Sequence, residues 1–154
     1  MTAAGPRTLF GVTAAAEMVT WALLILAMVL KYTGVSEALM PFGGGIHGFV
    51  FLCYAVVVLA VWIDSRWSLG RGLLALGSAV VPFMTVPFER AMRRRREPAE
   101  RWQVLEEHGR GGAGAGALRA VLARPLLSAV LALAVVAVVF VLLLTAGPPT
   151  QWGR

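Results

Sequence analysis

The sequence predicts an all-α membrane protein, a transmembrane helical bundle with three core spans and a tethered fourth span. Of its 154 residues, 58 % are hydrophobic, and the mean hydropathy is +0.76. Four apolar runs of 20 to 22 residues divide the chain: Leu9–Leu30, Gly43–Ile63, Leu69–Phe88 and Pro125–Ala146. Because a hydrocarbon core of about 30 Å needs about 20 residues of helix, each run is long enough to cross a bilayer.

The first run is predicted to be a retained span and not a removable signal peptide. It is longer than the apolar region of a signal peptide, and no small-residue cleavage site follows it. Glu17 lies eight residues into this run, about 12 Å deep at about 1.5 Å per residue. Since an ionisable side chain in hydrocarbon is costly, Glu17 is the first candidate functional residue.

The second run begins with a glycine-rich segment that contains His47. Gly44 and Gly48 form a small-xxx-small pair, which is typical of close contact between helices. A hydrogen bond between helices is favoured for His47 over metal or haem ligation, since the other histidine, His108, lies in a loop without a ligand cluster. The sequence therefore predicts no metal and no cofactor.

The third run carries a polar stripe at spacings of 7, 4, 3 and 4 residues: Arg71, Ser78, Pro82, Thr85 and Glu89. These spacings place all five on one face of a continuous helix, which Pro82 and Pro87 would kink. Two pairs across helices are expected: Glu17 with Arg71, and His47 with Glu89. Either pair could fix helix packing or serve a binding site.

The predicted domain organisation has a three-span unit at 1–96, a cytoplasmic linker at 97–124 and a fourth helix with a short tail at 125–154. Glycine and alanine dominate residues 109–116, a composition typical of flexible linkers. The G-x-G-x-x-G spacing there does not indicate a dinucleotide site, because no strand precedes it. The fourth run has only Ser128 and Thr145 as polar side chains.

The net charge of +6 is interpreted as membrane topology and not as nucleic-acid binding. Nine arginines lie between the third and fourth runs: Arg90, Arg93, Arg94, Arg95, Arg96, Arg101, Arg110, Arg119 and Arg124. The positive-inside rule places this stretch in the cytoplasm and, with four spans, both termini outside the plasma membrane. The block Arg93–Arg96 is predicted to be a stop-transfer anchor, or alternatively a docking patch for anionic lipids or a protein.

Several short motifs resemble a family of small bacterial membrane proteins, the domain of unknown function 3817, common in actinobacteria. The resemblance covers residues 8–96. It lies in Ala16-Glu17 followed by Trp21, Lys31-Tyr32, His47-Gly48 with Tyr54 after it, Trp67-Ser-Leu-Gly-Arg71, and Val81-Pro-Phe83 with Phe88-Glu89-Arg90. The resemblance implies an integral membrane protein and no particular activity.

A weaker resemblance is to the small multidrug exporters, which have four spans and use a single glutamate of span 1 for protons and cationic drugs. The strong charge bias of this chain and the absence of the later-span motifs of those exporters count against it.

Two functions follow from the sequence as hypotheses. The first is a non-enzymatic accessory or scaffold subunit that binds a membrane protein partner through the polar stripe, the fourth span or the arginine-rich loop. The alternative is a small proton-coupled transporter or permeation subunit that uses Glu17 and works as a homo-oligomer. No constellation of residues for an enzyme can be argued.

Overall fold

The computed structural model describes residues 4–106 and 113–146, and within these ranges it contains helices and no strand. The helices are α1 (Pro6–Tyr32), α2 (Met40–Asp64), α3 (Leu69–Ser78), α4 (Thr85–Arg94), α5 (Gln103–Glu106), α6 (Ala113–Leu122) and α7 (Pro125–Ala146). The prediction of an all-α fold is confirmed.

The long helices α1 and α2 form an antiparallel pair that is the centre of the fold. They have 27 and 25 residues and are long and apolar enough to cross a membrane. Proline in the first turn of each helix suits that position, since its missing N–H has no partner there. Near one end Phe10 stacks on Tyr54, with 6.0 Å between ring centroids. Near the other end Gly43 packs against Ala27.

Helix α7 lies antiparallel to α2 on the outside of this pair. Its Phe140 ring contacts Phe49, near the start of α2, with 6.0 Å between centroids. Farther back along α7, Leu131 lines the same groove as Val56 of α2. The apolar stretch Ala129–Thr145 of α7 is shorter than the two long helices.

The third apolar run is not one helix, which corrects the prediction of a continuous span. Helix α3 ends at Ser78, four residues before Pro82, and α4 begins at Thr85. A proline ring clashes with the carbonyl four residues earlier and supplies no N–H, so the helix cannot continue through this point. Phe83 then adopts a left-handed conformation with φ of 64°. The predicted kink is therefore a chain reversal.

Helices α3 and α4, with the turn 79–84, form a re-entrant hairpin whose two ends lie together. Arg71, in the first turn of α3, binds Glu97 just beyond α4. Beside them, Arg7 at the start of α1 donates to the Arg96 carbonyl at 3.2 Å. The turn itself lies farther along α1, where the Thr85 hydroxyl donates to the Ala14 carbonyl at 2.9 Å. The hairpin thus enters the bundle and returns to the same end.

This common end, which we name the Arg96 end, contains the start of α1, the end of α2 and both ends of the hairpin. The loop 33–39 and the end of α7 lie at the opposite end, the Gly34 end. Arg7 thus contacts Arg96 at one end of the bundle, whereas the four-span prediction placed Arg7 and Arg93–Arg96 on opposite sides of the membrane. Residues 4 and 146, the first and last described, lie at opposite ends, and the location of the termini stays a prediction.

Residues 95–106, here named the cap segment, pack across the Arg96 end. The Trp102 indole donates to the Ala4 carbonyl at 2.9 Å, and the Val104 amide donates to Asp64 at 3.0 Å. On the outer side, Arg119 of α6 donates to the Val104 carbonyl at 2.7 Å. The predicted boundary at residue 96 stays a prediction. Residues 109–112 of the glycine-rich stretch lie outside the described residues.

Candidate functional site

A cluster of three polar side chains lies where α1 faces α2. Glu17 is completely buried, and its Oε2 lies 3.9 Å from Nδ1 of His47. Thr20, one turn along α1, places its hydroxyl 3.2 Å from the same nitrogen and 3.5 Å from Glu17 Oε2. The Glu17 Oε1 atom has no hydrogen-bond partner among the described residues. The spacing of three residues explains why Glu17 and Thr20 share the face that His47 meets.

The cluster is closed by Trp21 and by the turn of the re-entrant hairpin. The Trp21 ring lies on the imidazole of His47, with 4.5 Å between centroids. Its indole N–H donates to the Ala79 carbonyl at 3.0 Å, which is one of the backbone groups released where α3 ends. Since Thr85 binds Ala14, the broken part of the hairpin lies against the stretch of α1 that carries Glu17.

A second polar group joins α2 to α3. The Tyr54 hydroxyl lies 3.0 Å from the Ser78 hydroxyl and donates to the Ala75 carbonyl at 3.1 Å. Tyr54 is completely buried and Ser78 is buried with it. Buried hydroxyls need such partners, because an unpaired one costs about 1–3 kcal/mol. The group therefore fixes the height of α3 against α2.

The structure does not form either of the predicted pairs. Arg71 binds Glu97 at 2.6 Å instead of Glu17. Chain reversal explains this pairing, because α3 begins at the Arg96 end, while Glu17 lies eleven residues into α1, about 17 Å from its start.

Glu89 likewise binds Arg93, one turn later on α4, at 2.7 Å instead of His47. Glu89 lies beside Gly11 of α1, whereas His47 lies beside Thr20. Nine residues of helix separate these two levels, about 14 Å. Ser78, Thr85 and Glu89 are all buried, so the inward face of the polar stripe is retained even though the helix is broken.

The close helix contact is made by a glycine next to the predicted pair. A Cβ atom at Gly43 would lie 3.0 Å from the Ala27 side chain, whereas one at Gly44 would meet nothing within 4 Å. Gly48 faces Phe140 of α7, and a Cβ atom at Gly48 would lie 3.4 Å from that ring. Gly44 and Gly48 therefore do not act as one packing pair. Because residues 43–45 are all glycine, the sequence does not show which of them makes the close helix contact.

Arg93–Arg96 are exposed at the end of α4. Arg93 is held by Glu89, and both lie over Gly11, where a Cβ atom would be 3.0 Å from the Arg93 guanidinium. Binding of lipid or protein by this block stays a prediction. Within the described residues, no group of three or more His, Cys, Asp or Glu side chains could hold a metal ion.

Thr20 and Trp21 lie three and four residues after Glu17, which puts them on its helix face, but the sequence gives neither of them a partner. The tryptophan N–H was a usable signal, since a buried indole requires an acceptor. Its acceptor, the Ala79 carbonyl, exists only because the helix is broken.

Comparison with known proteins agrees with the resemblance found in the motifs. The family described as Domain of unknown function (DUF3817) matches residues 7–94. Over 75 residues the chain is 41 % identical to "Putative membrane protein SCO5905" of Streptomyces coelicolor, a match that covers 47 % of this chain and 9 % of that protein. This chain thus matches a small part of a much longer relative. No solved structure matches.

Proposed function

We propose, from the premise that this chain belongs to the DUF3817 family, that it is a non-enzymatic accessory or scaffold protein of the bacterial plasma membrane. The family and the relative indicate a membrane protein and no enzyme class. In this proposal the bundle is a rigid unit that holds a partner, and its buried polar groups serve the fold.

One observation carries the proposal: the residues of the predicted polar stripe bind within the fold. Ser78 binds Tyr54, Thr85 binds the Ala14 carbonyl, Glu89 binds Arg93 and Arg71 binds Glu97. Polar groups that line a substrate path must exchange partners with the substrate. Ser78 instead joins the hairpin to α2 and Thr85 joins it to α1, as expected of groups that fix helix packing. Arg71 and Glu89 are bound within the hairpin and at its end.

The arrangement of charge supports a topology with the Arg96 end in the cytoplasm. Eleven described arginines belong to that end: Arg7, Arg66, Arg71, Arg90, Arg93, Arg94, Arg95, Arg96, Arg101, Arg119 and Arg124. Among the described cations, only Lys31 belongs to the Gly34 end. In this topology α1, α2 and α7 each cross the membrane once. The positive-inside rule then favours a cytoplasmic location for the start of α1 and for both ends of the re-entrant hairpin.

Helix α7 is the surface on which we place the partner. Along its described side chains only Val136 is buried, while Leu126, Val130 and Leu142 are 60–66 % exposed. Among the membrane-crossing helices, α7 packs mainly on α2, through contacts such as Phe140 with Phe49.

Native mass spectrometry of the protein extracted gently from its own membrane tests the proposal. We expect a second polypeptide in stoichiometric amount. Val138→Trp on α7 should reduce its recovery, whereas the matched Val19→Trp on α1 should not, since the two valines are 59 % and 57 % exposed. Recovery of a monomer or homo-oligomer alone, from cells that express the protein at its natural level, would contradict an accessory role.

A second candidate function, proton-coupled transport, is favoured by Glu17. Its Oε1 atom has no partner among the described residues, and His47 lies opposite its other oxygen. Interrupted helices near the bilayer midplane are typical of ion sites in transporters, and the broken hairpin lies beside Glu17. Against this candidate, few helices are present to enclose a path.

Reconstituted vesicles with an internal pH-sensitive dye separate the two functions. For a transporter, a pH gradient should drive proton movement that Glu17→Gln abolishes. Glu37→Gln, in the loop at the Gly34 end, should leave that movement unchanged. No proton movement in the unmodified protein would leave only the accessory function.

A further inference from the structure

The last two turns of α4 carry three arginines that line one open cavity at the surface. Arg90, Arg93 and Arg94 border this space of about 300 Å³. Arg90 and Arg94 are four residues apart, so they share one face of the helix. Both are exposed, and they are neighbours of Arg93 on the same helix.

Arg93 is held in place by the fold. Its Nε and Nη2 atoms both bind Glu89 Oε1, at 2.8 and 2.7 Å. Gly11 lets this pair lie against α1, because a side chain there would displace the guanidinium. The pair leaves the Nη1 amino group as the part of Arg93 that can bind another anion. A fixed guanidinium loses less entropy when a ligand binds than a mobile one.

The cavity has a large excess of positive charge. The three lining side chains are all arginines. Glu89, which binds Arg93 from the protein side, is only 9 % exposed. Planar guanidinium groups bind phosphate oxygens through paired hydrogen bonds, which a single ammonium cannot do. The ligand chemistry that fits three arginines and one shielded carboxylate is therefore a phosphate diester or monoester.

The position of α4 favours a phospholipid over a free phosphate. The helix has 10 residues, about 15 Å, which is half of a hydrocarbon core of about 30 Å. Its start lies in the turn of the hairpin, where Val80, Val81 and Met84 are 48–66 % exposed. A lipid with its phosphate among the arginines would lay its acyl chains along the helix toward these apolar side chains.

We infer that Arg90, Arg93 and Arg94 bind the headgroup phosphate of an anionic phospholipid in the leaflet at the Arg96 end. The site binds one lipid molecule, with Arg93 as the fixed contact and Arg90 and Arg94 closing on either side of the phosphate. Such a lipid would cover the hairpin and hold its two ends at the membrane surface.

Native mass spectrometry from nanodiscs of phosphatidylglycerol and phosphatidylcholine tests the inference. The unmodified protein should retain one phosphatidylglycerol in preference to phosphatidylcholine. Arg90→Gln/Arg94→Gln should lower that preference by about fivefold for each arginine, at about 1 kcal/mol per charge near the surface. Arg95→Gln/Arg101→Gln removes the same charge outside the cavity and should retain the preference.

Each of the following results would contradict the proposed lipid site. An equal loss in the two double variants would mean attraction by charge alone. Displacement of the lipid by excess inorganic phosphate, together with phosphate binding of the same affinity when lipid is absent, would indicate a free-phosphate site. If Arg90→Gln/Arg94→Gln does not fold, Arg90→Gln and Arg94→Gln are measured singly, and an unchanged preference in both would contradict the inference.

Discussion

The Oε2 atom of Glu17 lies 3.9 Å from Nδ1 of His47 in the interior of the bundle, and Thr20 bridges the two helices beside them. This contact joins the candidate functional residue of the first apolar run to that of the second apolar run. Neither of the partners predicted for them, Arg71 and Glu89, is present at this level of the bundle.

The first prediction concerns coupling between Glu17 and His47. Glu17→Ala and His47→Ala should each lower the thermal stability in detergent, because each removes the ionisable group opposite the other side chain and leaves Thr20 as its remaining polar neighbour. The double variant should be less destabilised than the sum of the two single variants, with a coupling energy of about 1 kcal/mol or more. The measurement is a double-mutant cycle by thermal unfolding. Additivity within about 0.3 kcal/mol would show that the two side chains do not interact.

Topology gives the second prediction. In a Cys53→Ser background, Ala4→Cys and Arg95→Cys should react with a membrane-impermeant maleimide only after the cells are permeabilised. Ser36→Cys, in the loop at the Gly34 end, should react in intact cells. The reason is that the Trp102–Ala4 and Arg7–Arg96 hydrogen bonds hold positions 4 and 95 at one end. Labelling of positions 4 and 95 from opposite sides would restore a four-span topology.

The third prediction concerns the contact between α2 and α3. Gly72 packs on the indole ring of Trp62, and a Cβ atom there would collide with that ring. Gly72→Ala should therefore lower the free energy of unfolding by about 1–3 kcal/mol, as other overpacked sites do. Gly70→Ala is the matched control, since a Cβ atom at Gly70 meets nothing within 4 Å. It should be neutral, or stabilising by up to about 1 kcal/mol. Equal effects of the two substitutions would contradict this packing.

The fourth prediction concerns the cap segment. Arg7 donates to the Pro98 carbonyl at 3.0 Å and to Glu100 at 2.8 Å, in addition to the Arg96 carbonyl. Arg7→Gln should speed amide hydrogen exchange in residues 96–104 roughly tenfold, which corresponds to the loss of about 1.4 kcal/mol of local stability. Arg101→Gln, an exposed arginine of the same segment, should leave the exchange nearly unchanged. Protection that survives Arg7→Gln would mean that other contacts hold the segment.

The difference between sequence and structure is concentrated in the third apolar run. Hydropathy alone made Leu69–Phe88 equivalent to the other runs, because composition does not distinguish one helix of 20 residues from two of 10. Pro82 was predicted to kink a continuous helix, whereas it ends the helix, and a proline that ends a helix does not set the direction of the chain that follows. That direction is fixed by contacts with α1, such as Thr85 with Ala14 and Trp21 with Ala79.

What the sequence by itself determined is the three long apolar helices and the buried face of the polar stripe. The apolar runs predicted α1, α2 and α7, and the spacing of Ser78, Thr85 and Glu89 predicted an inward polar face, because hydropathy and helical period are local properties. The tertiary structure decided which charges meet and at which end of the bundle each lies. It did so because reversal of the hairpin moved Arg71 and Arg96 to the start of α1, and such long-range placement depends on packing between segments far apart in the chain.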